Sequence, residues 1–300
     1  MNPHPSSHAD SDSGPDANPK PNADSVPGTG TGASLKPGAV TVLMSVYRNT
    51  TSEELKHALD SIDAQTRPPE RVLVVRDGAV QGDVDKLLSS VDTVTLPENR
   101  GLGIALREGL ADVDTEFVAR LDSDDAAFPE RLEKQLAFMA AHPEIAVLGT
   151  AMQEFDGDTL GGVRRLPETH DAIARYAKIN SPMNHPSVLM RVADVREVGG
   201  YRPMHNMEDY DLWARLIAGG KKLHNLPEPL TYFRVDDAQM KRRTTPETRR
   251  AEREMQRALV SYGLVSRPRA AANYAVRNLY RALPLSAMRR VYSRLFHRGD

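Results

Sequence analysis

The chain has 300 residues, 40% of them hydrophobic and 27% charged, enough for one sizeable domain plus additions. Its formal net charge of −2 excludes a global electrostatic case for nucleic-acid binding. The absence of cysteine excludes disulfides, zinc–thiolate sites and thiol nucleophiles, and mildly favours a reducing compartment. No basic region followed by an apolar core opens the chain, and no apolar run approaches about eighteen residues, so neither export nor membrane spanning is expected and a cytoplasmic location is.

Residues 1–38 hold seven Pro and five Gly among small polar residues, which predicts a disordered arm. At Val40 the composition turns apolar, and from there the pattern alternates. Strands are expected at 40–46, 71–75, 91–95, 116–121 and 145–149, and helices at 52–64, 83–89, 101–111 and 129–141. That rhythm predicts an α/β fold with a doubly wound, mostly parallel sheet. Pro129 is expected to open its helix, with Leu132, Leu136 and Met139 as the apolar stripe.

After residue 150 the second half turns mixed. Ala151–Phe155 and Leu160–Arg165 flank Asp-Gly-Asp-Thr as a hairpin. A helix at 207–218, strands near 222–226 and 230–234, and helices near 246–262, 268–282 and 285–297 complete the chain. The expected organisation is the arm at 1–38, a catalytic domain at 39–240 and a basic helical extension at 241–300.

In open parallel sheets ligands sit beyond the carboxyl ends of the strands, so polar residues just after apolar runs are the candidates for chemistry. Asp122, Asp124 and Asp125 place three carboxylates in four residues, which repel one another unless a cation joins them, and aspartate oxygens suit Mg²⁺ or Mn²⁺. The competing explanation is that Asp124 and Asp125 lead into the helix opened by Pro129, where acidic residues favour the positive dipole end. Asp77 precedes Gly78 and reads either as a turn aspartate or as an acceptor for a base or ribose. In Gly101-Leu102-Gly103 the third glycine of a dinucleotide fingerprint falls on Leu106, which counts against that cofactor.

Asn206 followed by Glu208 and Asp209 resembles a capping box at a helix start, while either acid is also a candidate general base toward an acceptor hydroxyl. His185 reads as a satisfied structural histidine or as an acceptor or phosphate contact.

Taken together, these segments resemble family 2 glycosyltransferases of the GT-A fold, most closely the amylovoran exopolysaccharide branch, over about residues 40–236. The marks are Val42-Leu43-Met44-Ser45-Val46-Tyr47, Val75-Arg76-Asp77-Gly78, Asn99-Arg100-Gly101-Leu102-Gly103, Ala119-Arg120-Leu121-Asp122-Ser123-Asp124-Asp125, Asn184-His185-Pro186, Val198-Gly199-Gly200-Tyr201 and Glu208-Asp209-Tyr210-Asp211-Leu212-Trp213.

The resemblance implies a GT-A sheet and a nucleotide-sugar donor, UDP-hexose foremost. It implies a Mn²⁺ or Mg²⁺ cofactor on the pair Asp122 and Asp124, and inversion at the anomeric carbon. Asp209 would be the base, Asp77 the contact to the nucleotide base, and Val46, Tyr47, Asn99 and Arg100 would belong to the donor pocket, with His185 and Glu208 on the acceptor side. The acceptor implied is a glycan or a polyprenyl-diphosphate-linked glycan.

The Gln/Arg-x-x-Arg-Trp motif of processive relatives is absent, which favours single addition. Where relatives place a metal-shell histidine the chain has Asp236, leaving a third ligand open.

Val265 to Asp300 carries eight arginines and one acidic residue, so one helical face is expected to be basic, as a peripheral membrane contact, a solvated face or an oligomer contact. A sugar nucleotidyltransferase would need a glycine- and lysine-rich loop after the first strand, where Tyr47-Arg48-Asn49-Thr50 stands instead. A non-catalytic nucleotide- or carbohydrate-binding module would need no base beside the metal cluster.

Overall fold

The computed structural model describes residues 35–235 and 245–283, with positions 287, 288, 291, 294 and 296. The arm up to residue 34, Asp236 and most of the 285–297 helix lie outside the described residues. The first strand, β1 (Lys36–Val46), starts four residues before its expected position. After it come α1 (Ser52–Asp63), β2 (Arg71–Asp77), α2 (Gly82–Leu88), β3 (Asp92–Leu96), α3 (Leu102–Asp112) and β4 (Thr115–Arg120). α1 begins where expected because Thr51 and Glu54 form a reciprocal capping box, and it buries Leu55, Ala58 and Ile62 at helical spacing.

The second half runs β5 (Ala126–Ala127), α4 (Arg131–Ala141), β6 (Ile145–Asp156), β7 (Thr159–Arg164), α5 (His170–Tyr176), a 3₁₀ turn at His185–Ser187, β8 (Leu189–Arg191), α6 (Val192–Glu197), α7 (Glu208–Ala218) and β9 (Lys222–Arg234). Two helices follow, α8 (Pro246–Ser261) and α9 (Arg267–Arg281). Among the described residues the nine strands form one sheet ordered β3-β2-β1-β4-β8-β6-β9-β5, with β7 beside β6. Six of them, β1, β2, β3, β4, β6 and β9, share one direction, and β5, β7 and β8 oppose it.

Alternation along the parallel strands explains the double winding. Leu43, Leu73, Val75 and Val118 point to a layer completed by α3 and by Leu212, Trp213 and Leu216 of α7. Val42, Met44, Val74 and Ala119 point to the opposite layer, covered by α1, α2 and α4.

Three expectations are corrected. Strands read as 145–149 and 151–155 are one strand, β6, and those at 222–226 and 230–234 are one strand, β9. Their pairing passes from Thr150↔Leu226 to Ala151↔Pro229, so Pro227 and Glu228 are absorbed in a bulge where the missing proline N–H costs no ladder bond. The helix assigned to Pro129 starts at Arg131, after a turn closed by the Arg131 N–H on Phe128 O (3.0 Å).

Candidate active site

The carboxyl ends of β1 to β4 lie along one edge of the sheet, which gathers the segments 46–50, 77–78, 97–101 and 121–125. Val46 is buried at the end of β1, and Tyr47 follows in a turn closed by Thr50 N–H on Tyr47 O, with its ring 37% exposed. The buried Asp77 accepts from the backbone N–H of Arg100 (2.7 Å), that of Gly101 (2.9 Å) and Asn99 Nδ2 (3.0 Å). It thus satisfies orphan donors at the start of α3, and one carboxylate lone-pair direction remains for a ligand.

Gly78 makes that contact possible. Its φ is +80°, and a Cβ there would stand 2.6 Å from Asn99 N.

Asp122, Asp124 and Asp125 each offer a carboxylate oxygen, and the three lie within 4.8 Å of one another. The helix-entry explanation fails, because α4 begins six residues beyond Asp125. Burial, then the charge of Asp122, pushes Asp124 up to about 6. Burial and both neighbouring aspartates raise Asp125 well above the usual range.

Asp125 Oδ1 accepts from Arg234 N–H (2.9 Å), and Arg234 Nε donates to Asp124 O (3.2 Å), so the end of β9 grips the acidic loop. Asp125 Oδ2 is buried with no hydrogen-bond partner. Three converging carboxylate oxygens, with an orphaned carboxylate oxygen on Asp125, fit a divalent cation.

Behind the cluster stands Arg120, part of the Ala119–Asp125 motif but given no role by it. Its side chain is 0% exposed and pairs with Asp122. Burial works against its charge, but the Asp122 carboxylate outweighs it and holds the guanidinium protonated. A second buried guanidinium, Arg131, donates to Arg120 O (2.7 Å), and burial followed by the charge of Arg120 brings it down to about 9.

The other wall comes from the second half of the chain. Glu208 and Asp209 open α7, whose N-cap is Met207, so the capping box expected of Asn206 is absent; Asn206 has φ 55° instead. Glu208 is buried and sits against α3: a Cβ on Gly103 would lie 2.6 Å from Arg202 O and 3.1 Å from Glu208 Cβ. Burial and then the charge of Asp209 raise Glu208 to about 8. Asp209 is half-buried and accepts from Ser181 Oγ (3.0 Å); burial raises it, and the Ser181 bond opposes the shift.

Arg215, ion-paired with the fully buried Asp211 (2.8 Å), donates to Val198 O (2.6 Å) and Gly200 O (2.7 Å). This clamp sets Tyr201 against His185, whose Nε2 shares a 2.8 Å hydrogen bond with the Tyr201 hydroxyl while its ring meets Trp213 edge-on. Burial, then Arg120, lowers the His185 pKa well below its usual value. These contacts favour the structural alternative for His185. Ser181 and Arg215 join the site through tertiary contact alone, which no local spacing announces.

A doubly wound sheet with an acidic triad after its fourth strand fits the GT-A fold. The sequence profile of Glycosyl transferase family 2 matches residues 41–199, and the chain belongs to that family. It is similar to amylovoran biosynthesis glycosyltransferase AmsE of Erwinia amylovora, 31% identical over 84% of this chain and 97% of the relative. It is also similar to the UDP-Gal:alpha-D-GlcNAc-diphosphoundecaprenol beta-1,3-galactosyltransferase of Escherichia coli, 31% identical over 86% and 96% of the two chains. Among solved structures, S. aureus TarS 1-349 in complex with UDP-GlcNAc shares the fold with TM-score 0.61 at 19% identity, over 81% of this chain and 72% of that one. Among the described residues no helix is long and apolar enough to cross a membrane.

Proposed function

We propose that the chain is a cytoplasmic, inverting hexosyltransferase that moves a sugar from a UDP-sugar to a glycan or polyprenyl-diphosphate-linked glycan in exopolysaccharide or other surface-polysaccharide synthesis. The observation that carries this is the pairing of an acidic triad at the end of β4 with a separate carboxylate, Asp209, at the start of α7. Family membership and the named chemistry of the relatives from Erwinia and Escherichia support the substrate class.

Val46, Tyr47, Asp77, Asn99, Arg100 and Asp122 form the donor side, with Asp122 and Asp124 as the pair that holds Mn²⁺ or Mg²⁺. When bound, such an ion supplies positive charge beside the departing diphosphate. Asp209, oriented by Ser181, takes the proton of the acceptor hydroxyl as its oxygen attacks the anomeric carbon. The raised pKa leaves Glu208 protonated at neutral pH, while the Ser181 hydrogen bond favours the ionised form of Asp209. A lipid-linked acceptor is met at the membrane surface, and the basic C-terminal helices are the proposed peripheral contact.

The test is a pair of variants. Asp209→Asn should keep UDP binding and lose transfer, whereas Asp124→Ala should lose the Mn²⁺-dependent part of UDP binding by calorimetry. Undiminished transfer by Asp209→Asn would remove it as the base. A UDP affinity indifferent to Mn²⁺ in the parent would remove the cation from the reading.

A further inference from the structure

Five large hydrophobic side chains are exposed among the described residues, and three of them gather at α9 and the loop it holds: Ile179 (46%), Val276 (66%) and Leu279 (69%). The inner face of α9 is pinned by polar contacts. Asn273 Nδ2 donates to Lys178 O (2.7 Å), and Arg277 Nη1 donates to Ile179 O (3.0 Å) and Asn180 Oδ1 (2.7 Å). Arg277 and Arg281 also pair with the buried Glu252 of α8 at 2.6 and 2.7 Å.

With Arg277 inward, a turn of about 100° per residue places Pro268, Ala272, Ala275 and Leu279 along the opposite side, with Val276 on its flank. All five are exposed and apolar. α9 contains no acidic residue, and Arg267 and Arg269 stand exposed on either flank of this rank. Arg253 of α8 lies 5.6 Å from the Tyr274 ring centroid, and Lys178 precedes Ile179 in the gripped loop; both are exposed.

We propose that this outer face of α9, with Ile179 beside it, seats the protein on an anionic phospholipid surface. The proposal rests on the reading of the C-terminal helices as a peripheral contact and assigns it a face. A convex apolar rank offers no groove to a peptide but fits the headgroup–acyl boundary of a bilayer. The flanking cations complement anionic headgroups. The loop gripped by the inner face of α9 leads, two residues beyond Ile179, to Ser181, which donates to Asp209.

The experiment is co-sedimentation of the full chain with phosphatidylcholine vesicles, with and without phosphatidylglycerol. The parent should bind the anionic vesicles, and Val276→Glu/Leu279→Glu should bind them about tenfold less. Arg267→Gln/Arg269→Gln should lose preference for phosphatidylglycerol. Unchanged melting temperatures would show that the variants fold, since none of these four side chains is buried.

Equal binding by Val276→Glu/Leu279→Glu and parent, or no binding by the parent, overturns the proposal. So does a parent dimer that this variant dissociates in light scattering, which would give the face to a second copy. Transfer to a water-soluble acceptor is read in parallel: its absence in every protein with vesicle binding intact would strike the catalytic reading and leave this surface standing.

Discussion

Replacing Glu208 by glutamine separates the two acids at the start of α7. In the folded protein burial and the charge of Asp209 move Glu208 from 4.5 to about 8. That displacement corresponds to about 5 kcal/mol at most. The sign follows from proton counting. Between these pH values the folded state holds a proton that the unfolded state has released, so stability falls as pH rises through the interval and is level on either side of it.

Glutamine is neutral throughout and close to the protonated acid in shape. Glu208→Gln should therefore match the parent below pH 4.5 and exceed it above pH 8, by as much as on the order of 10 °C in melting temperature. Melting curves from pH 4 to 9 read the difference, and transfer at neutral pH should persist because Asp209 is untouched. Parallel melting profiles would refute the assignment of a buried protonated Glu208. Loss of transfer at neutral pH would move the base from Asp209 to Glu208.

Arg120→Met removes the buried cation beside Asp122 and should cost about 3–5 kcal/mol without Mn²⁺, with a larger stabilising shift on Mn²⁺ addition than in the parent, read by thermal melts. Gly78→Ala forces a Cβ to 2.6 Å from Asn99 N at φ +80°, so UDP affinity should fall at least about tenfold and the protein should lose about 1–3 kcal/mol, checked by calorimetry and urea unfolding. Glu252 lies below the usual glutamate range: burial raises it, but Arg277, Arg281 and Gln256 outweigh that effect. Its stabilisation should therefore be present above pH 4.5 and disappear as pH falls through its folded value. Glu252→Gln should remove that acid dependence and loosen α9, seen as faster amide exchange over residues 267–281.

The first half of the fold was legible because β1, β2 and β4 carry apolar runs and α4 carries an apolar stripe: Val72–Val75 and Leu132, Leu136 and Met139 each name their own structure. The second half was less so. Pro227 and Pro229 read as a strand end, yet the sheet absorbs them by a register shift that only the partner strand reveals. β5, α5 and α6 are too short to carry a period. Within the site, the charge repulsion of Asp122, Asp124 and Asp125 was visible in sequence. Arg120 stood in the matched motif without a role, and its complete burial appears only in the structure. Asn206 carried the spacing of a cap, but Met207 occupies that position.

Seen as a division of labour, the clamp of Arg215 on Val198 and Gly200 makes α7 a single carrier: proposed base at its first turn, wall-setting cation at its last. The proposed nucleotide-holding loops belong to residues 46–125, and the proposed acceptor wall to residues 181–281. They meet where Gly103 allows α3 to approach Arg202 and Glu208. On these proposed roles, segments exchanged between relatives behind that seam would alter the choice of acceptor and leave the donor loops unchanged, provided position 103 stays glycine.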